Sequence, residues 1–180
     1  MLKLMGRRHN GKGKVLVIGL DGVPFRIINN FIKMGVTPFL GTLSRQGLMR
    51  EMRSSIPPVS SVAWTSLITG VNPGKHGIYG FMERKPDSYD IYFTNSSHIK
   101  SPTLWDILGG HNKKSIAVNI PQTYPAKPLN GMLISGFVAL DLEKGVYPPD
   151  LYHRLKEMDY RIDVNYREAA EKKDEFFKDL

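Results

Sequence analysis

The sequence predicts an α/β layer architecture, and three observations predict it. Strand-type apolar runs alternate with helix-type patterns along the chain, as in layered α/β folds rather than helix bundles or sheet sandwiches. Two of these runs, residues 115–120 and 132–137, have the continuous apolar character of strands covered on both faces in a parallel sheet. A third, KVLVIGLDG at residues 14–22, ends abruptly in a carboxylate, Asp21, followed by a glycine. That is the strand end at which open α/β sheets bind ligands.

The elements follow in order. The sheet begins at Lys14, and Pro24 suits the first turn of a helix carrying Phe25, Ile28 and Ile32. Thr37 and Pro38 have the chemistry of a cap and first position of a second helix, which Gly47 ends. Residues 48–53 are expected to form a short strand, followed by a Pro57-Pro58 turn and an apolar helix from Ser60 that closes at Gly70. Residues 82–100 are rich in charge and turn formers around an expected strand at 89–93, and suit a lid or insertion. Ser101 and Pro102 open a helix through Leu104, Trp105, Ile107 and Leu108, stopped by Gly109 and Gly110. After the two buried strands, Leu151, Leu155 and Met158 mark another helix. Residues 166–180, YREAAEKKDEFFKDL, read as a helix with Ala170, Phe176, Phe177 and Leu180 apolar and no terminating Gly or Pro.

Two residues draw attention as chemistry. Ser60 and its neighbour Ser61 lie where a helix begins, and unpaired N–H groups and the positive end of the helix dipole favour an anion there. A serine hydroxyl attacks only with an adjacent base or a metal that stabilises its alkoxide. Asp21 offers a hard oxygen ligand of the kind that suits divalent cations. Taken locally, both serines read as ordinary helix caps and Asp21 as a turn aspartate before Gly22.

Other motifs carry less. GVNPGKHG has the glycines and lysine of a phosphate-binding loop, but the spacing is one residue short, His76 stands where Ser or Thr would reach magnesium, and the segment follows a helix. His76 reads as a residue that packs or hydrogen-bonds in a loop, because no second histidine lies at a helical ligand spacing. Trp64 and Trp105 fall on apolar helix faces and read as core. Tyr124, in QTYP, receives no role.

Composition bounds the rest. With 41% hydrophobic and 23% charged residues and no apolar run long enough to cross a bilayer, the chain reads as a globular domain. The N-terminal residues 1–13 are basic without the apolar core of a secretory signal, so a cytoplasmic location is expected. Absence of cysteine excludes disulfides and thiolate zinc sites. The net charge of +8 invites a nucleic-acid partner, yet only Arg7, Arg8, Lys12 and Lys14 form a dense basic run and no aromatics are interleaved with it. Nucleic-acid binding is therefore not expected.

Five segments together resemble a known family. IGLDG, IPPVSSVAWTSLITGVNPGKHGIYGF, TLWDIL, VNIPQTYP and NGMLISGF occur in this order across most of residues 14–140, and they are similar to the N-terminal part of the type I phosphodiesterase/nucleotide pyrophosphatase branch of the alkaline phosphatase superfamily. The resemblance implies a three-layer α/β sandwich with a mostly parallel central sheet. It makes residues 14–180 the N-terminal part of such a catalytic domain, behind a basic, flexible 1–13.

The resemblance also reverses the local reading of the site. It implies that Asp21 is a ligand of one metal and that Ser60 is the nucleophile that also touches metal, with Ser61 as the alternative alignment. The implied cofactors are two divalent ions, zinc first, with manganese or others open. The implied reaction is hydrolysis of phosphate esters or nucleotides through a phosphoseryl intermediate, with sulfate esters as chemically similar competitors. In many members an asparagine shortly after the nucleophile helps hold the phosphoryl oxygens; Ala63 stands there instead. The family's remaining aspartate and histidine ligands, including an Asp-His-Gly motif, are not found in this sequence. The expectation is a piece of a longer hydrolase, inactive by itself, with a catalytically inactive phosphate-binding or interaction module as the alternative. Oligomeric state is left open.

Overall fold

The computed structural model describes residues 13–162, so the helix expected at 166–180 lies outside the described residues. The chain divides into two units, Met1–Met52 and Arg53–Leu180.

In the first unit, helix α1 (Phe25–Lys33) follows Pro24, whose φ of −69° is set by its own ring. Phe25, Ile28 and Ile32, spaced by three and four, are its half-buried apolar residues. Helix α2 (Pro38–Gln46) has Thr37 before it and proline at its first position, and Gly47 donates its N–H to Leu43 O at 2.8 Å to close it. Gly41 is buried in α2, and a Cβ there would sit 3.4 Å from Ile32 Cγ2, so the two helices meet at a residue without a side chain.

The strand expected at 14–22 does not form. Residues 13–20 have no ladder partner among the described residues, and Val15, Leu16 and Val17 are 89%, 83% and 68% exposed. The strand expected at 48–53 is likewise absent, with Leu48 and Met52 exposed. A strand exists only through its neighbour's hydrogen bonds, and an apolar, β-branched run states a preference for extension without supplying that neighbour.

The second unit holds the core. Helix α3 (Ser60–Thr69) buries Val62 and Ile68, and the single-turn helix α4 (Pro73–His76) follows it. Strands β1 (Met82–Arg84) and β2 (Ile91–Phe93) pair antiparallel as a hairpin, which trims the single strand expected at 89–93 and adds a partner for it. Helix α5 (Leu104–Gly110) is capped by Thr103 and leads into β3 (Ser115–Ile120). Strand β4 (Gly131–Ser135) runs parallel to β3, and β5 (Val146–Tyr147) pairs antiparallel with β4, giving the order β3-β4-β5. Helix α6 (Leu151–Glu157) ends the described part. Ala117, Leu133, Val146 and Leu155 join Ile78 and the α3 residues in the buried core.

The architecture is mixed α/β, with the expected parallel pair at its centre. The sheet is small: one face is covered by Ala117 and Leu133, while Ile116, Val118 and Met132 stay 73%, 48% and 44% exposed. Ladder pairing between Val118 and Ile120 shifts at Asn119, whose φ is +54°.

Candidate active site

The start of α3 is built by backbone geometry. Val59 is extended (φ −107°, ψ 139°), and its carbonyl accepts from Val62 N–H at 3.0 Å and Ala63 N–H at 2.8 Å. Ser60 and Ser61 are therefore the first two helical residues and not the caps that a local reading suggests. Valine's side chain supplies no capping oxygen, and the positive end of the helix dipole favours negative charge beside Ser60. Gly70 closes the helix in the left-handed conformation, φ +67°, and donates to Ser66 O at 2.9 Å.

The two serines differ in surroundings. Ser60 is half-buried, within reach of solvent, whereas Ser61 is fully buried and its Oγ has no hydrogen-bond partner among the described residues. Further along, Thr65 Oγ1 donates to Ser61 O and Thr69 Oγ1 to Thr65 O, each at 2.6 Å. The buried Thr65 and Thr69 hydroxyls thus spend their protons on the helix's own carbonyls.

The far end of α3 is fastened to the loop that follows. His76 is fully buried; its Nδ1 accepts from Ile78 N–H at 3.1 Å, and its Nε2 lies 2.9 Å from Ser66 Oγ. An Nδ1 that accepts leaves the proton of the neutral ring on Nε2, so Nε2 donates to Ser66. This tautomer rules out Ser66 as a histidine-activated nucleophile, because activation needs an accepting nitrogen. Burial lowers the His76 pKa and keeps the ring neutral. The loop reading of His76 agrees with this geometry.

Asp21 lies in the first unit, exposed, at a turn with Gly22 at φ +65°. Ser60 lies in the second unit. Their carboxylate and hydroxyl oxygens are hard donors of the type divalent cations take, which makes both chemically suited to a metal. Among the described residues, no three His, Asp or Glu side chains gather into a metal-holding group.

Tyr124, without a role in the sequence, bonds outward: its hydroxyl donates to Asp141 Oδ2 at 2.7 Å, and burial with that bond pushes its pKa up to about 12. Trp64 and Trp105 are half-buried on their helices. Sequence reasoning missed a buried polar chain in the second unit, in which Gln122 Nε2 donates to Thr94 Oγ1 at 2.8 Å and Thr94 Oγ1 donates to Gly80 O at 2.7 Å. QTYP offered one signal, a polar residue next to a buried strand.

The sequence model of the type I phosphodiesterase / nucleotide pyrophosphatase family matches residues 15–180. The chain belongs to this family. The match extends over parts of both units and includes every segment on which the resemblance rested. The family is one of hydrolases, generally metal-dependent, whose members act on nucleotide or phosphate-ester substrates. No solved structure matches the chain. No helix among the described residues is long and apolar enough to cross a membrane.

Proposed function

We propose that this chain carries the nucleophile and one metal ligand of a phosphate-ester hydrolase, with Ser60 attacking phosphorus and Asp21 holding metal. The observation that carries this reading is the family match, within which Ser60 opens an apolar helix after an extended residue. A pair of divalent ions, zinc by preference, would supply alkoxide stabilisation and a clamp on the attacking and leaving oxygens.

What the chain's own residues do follows from their chemistry. Ser60 Oγ gives up its proton and forms a bond to phosphorus as the bond to the leaving oxygen breaks, producing a phosphoseryl enzyme and an alcohol. Water then attacks the same phosphorus, Ser60 Oγ leaves and recovers a proton, and the product is a phosphate monoester from a diester or phosphate from a monoester. Throughout, the α3 start favours the negative phosphoryl group through the positive end of its helix dipole. His76 and Ser66 act indirectly by fastening the far end of α3. With Ala63 in place of an amide side chain, oxyanion contacts come from other groups.

The test is zinc- and manganese-dependent hydrolysis of a chromogenic phosphodiester and phosphomonoester by the longest reading frame containing this chain. Ser60→Ala is expected to lower kcat by roughly a thousand-fold or more while the fold is retained. Unchanged turnover removes Ser60 from the mechanism. Phosphate binding by a folded, metal-loaded protein with no turnover favours the second reading, a binding module on the same scaffold, which the absence of the amide at Ala63 supports.

A further inference from the structure

In the second unit, residues after β3, the start of α5 and residues before β4 line a cavity of about 40 Å³. A drug-sized ligand needs roughly 300 Å³ or more, whereas a single water needs only about 10–15 Å³. The cavity therefore fits a very small occupant.

One wall is Gln122, 1% exposed, whose Oε1 is buried without a partner among the described residues. Turning the amide over does not repair this. Thr94 Oγ1 spends its proton on Gly80 O at 2.7 Å, so toward Gln122 it can only accept. Nε2, the donor, must face it, at 2.8 Å, and Oε1 is left on the other side. A buried acceptor left without a donor costs more than a typical hydrogen bond contributes.

The hydroxyls of the lining do not provide that donor. Ser96 Oγ donates to Pro125 O at 2.6 Å, Thr123 Oγ1 to Ile120 O at 2.7 Å and Thr103 Oγ1 to Asp106 Oδ2 at 2.7 Å. Each hydroxyl proton is spent, so these groups also present lone pairs. Lys127 Nζ already donates to Ser96 O at 2.7 Å. Its remaining N–H bonds and the Trp105 indole are the donors left among polar groups that otherwise accept, beside the apolar Ile68, Ile99 and Leu133.

An acceptor-rich lining with one orphan acceptor selects an occupant that donates. We infer that Gln122 Oε1 holds an ordered water molecule in this cavity, donating to the amide oxygen and joining the turn after β3 to the wall formed by the start of α5. Water matches the volume and carries no net charge, which the Lys127 ammonium would oppose in a cation.

The test is a crystal structure of the full chain from ammonium-free solution, at a resolution that shows ordered water. A density peak about 2.6–3.2 Å from Gln122 Oε1 is the expected result. In solution, magnetisation transfer from water to the Gln122 side-chain amide is expected alongside it. An empty cavity, or Oε1 taken by a protein donor, overturns the inference. A peak only in crystals grown from ammonium salts overturns it too, since the occupant is then a cation.

Discussion

At Gly131 the β4 backbone has φ +143°, and a Cβ built there would lie 1.8 Å from Ser115 O on the neighbouring strand. No rotamer relieves a clash between two backbones, so Gly131→Ala is expected to destabilise the fold by about 1–3 kcal/mol or more, read as a lower midpoint in urea unfolding. Ser61 behaves in the opposite way. Its buried hydroxyl has no partner among the described residues, so Ser61→Ala removes an unsatisfied group and leaves Tm unchanged or higher. Turnover retained in Ser61→Ala beside its loss in Ser60→Ala would decide between the two alignments; the reverse pattern would move the nucleophile to Ser61. His76 supplies a pH prediction. Its folded pKa is lowered by burial from 6.5, so the folded state takes up a proton less readily than the unfolded chain. Its stabilisation is full above about pH 6.5 and is lost as pH falls toward the lowered folded value. Tm measured from about pH 8 downward should therefore fall below that point, and the fall should shrink in His76→Gln; an identical pH profile in the variant would refute the assignment. At this scale, Ser60 stood out in the sequence because it opens a recognisable helix, and Asp21 because it ends an apolar run just before Gly22, although that run forms no strand. Ser61's burial and the His76 tautomer were not visible, since both depend on neighbours distant along the chain or on a bond between elements.

Among the elements, α5 shows how local chemistry fixes a helix start. Thr103 Oγ1 accepts from Asp106 N–H at 3.4 Å, and Asp106 Oδ2 returns the contact to Thr103 N–H at 2.7 Å, a reciprocal cap with an acidic residue in the first turn. Thr103→Ala is expected to cost about 1 kcal/mol, or roughly 2–4 °C in Tm for a chain of this size. An unchanged Tm would mean that α5 is held by packing alone. Such signals explain why the helices were legible: proline near the starts of α1 and α2, and glycine after α2 and α3, act within a few residues. Strands β3 and β4 were legible because their apolar runs are long and each supplies the other's partner. Residues 14–22 carried an equally strong β-type pattern and form no strand, because periodicity encodes what a strand prefers and not what it pairs with. The β1 strand was missed for the converse reason: Met82, Glu83 and Arg84 have no strand-like composition, and they are extended through their ladder with β2.

Over the whole chain, two surface properties compete in deciding behaviour in solution. A net charge of +8 spread along the sequence opposes association. Against it stand apolar side chains that each unit leaves uncovered: Val15, Leu16 and Ile18 in the first, and Ile116, Val118 and Met132 on the bare face of the small sheet in the second. Among the described residues the β3 strand is also an edge in the order β3-β4-β5, and an edge strand presents unpaired N–H and C=O groups to any extended segment that approaches. Charge repulsion is long-ranged but screened, with a Debye length of about 8 Å at physiological ionic strength. Apolar burial is short-ranged and salt does not weaken it. The 180-residue chain studied by itself is therefore expected to associate more as salt is raised, eluting ahead of its monomer position and binding a hydrophobic dye. Replacing Ile116 and Val118 with lysine puts charge on the exposed face of the edge strand, the device natural sheets use against edge pairing, and should return the chain toward monomer at the same salt concentration. Elution as a monomer at every salt concentration would show that these apolar surfaces are covered within a single chain. Association that weakens as salt rises would show that charge, and not apolar surface, drives it.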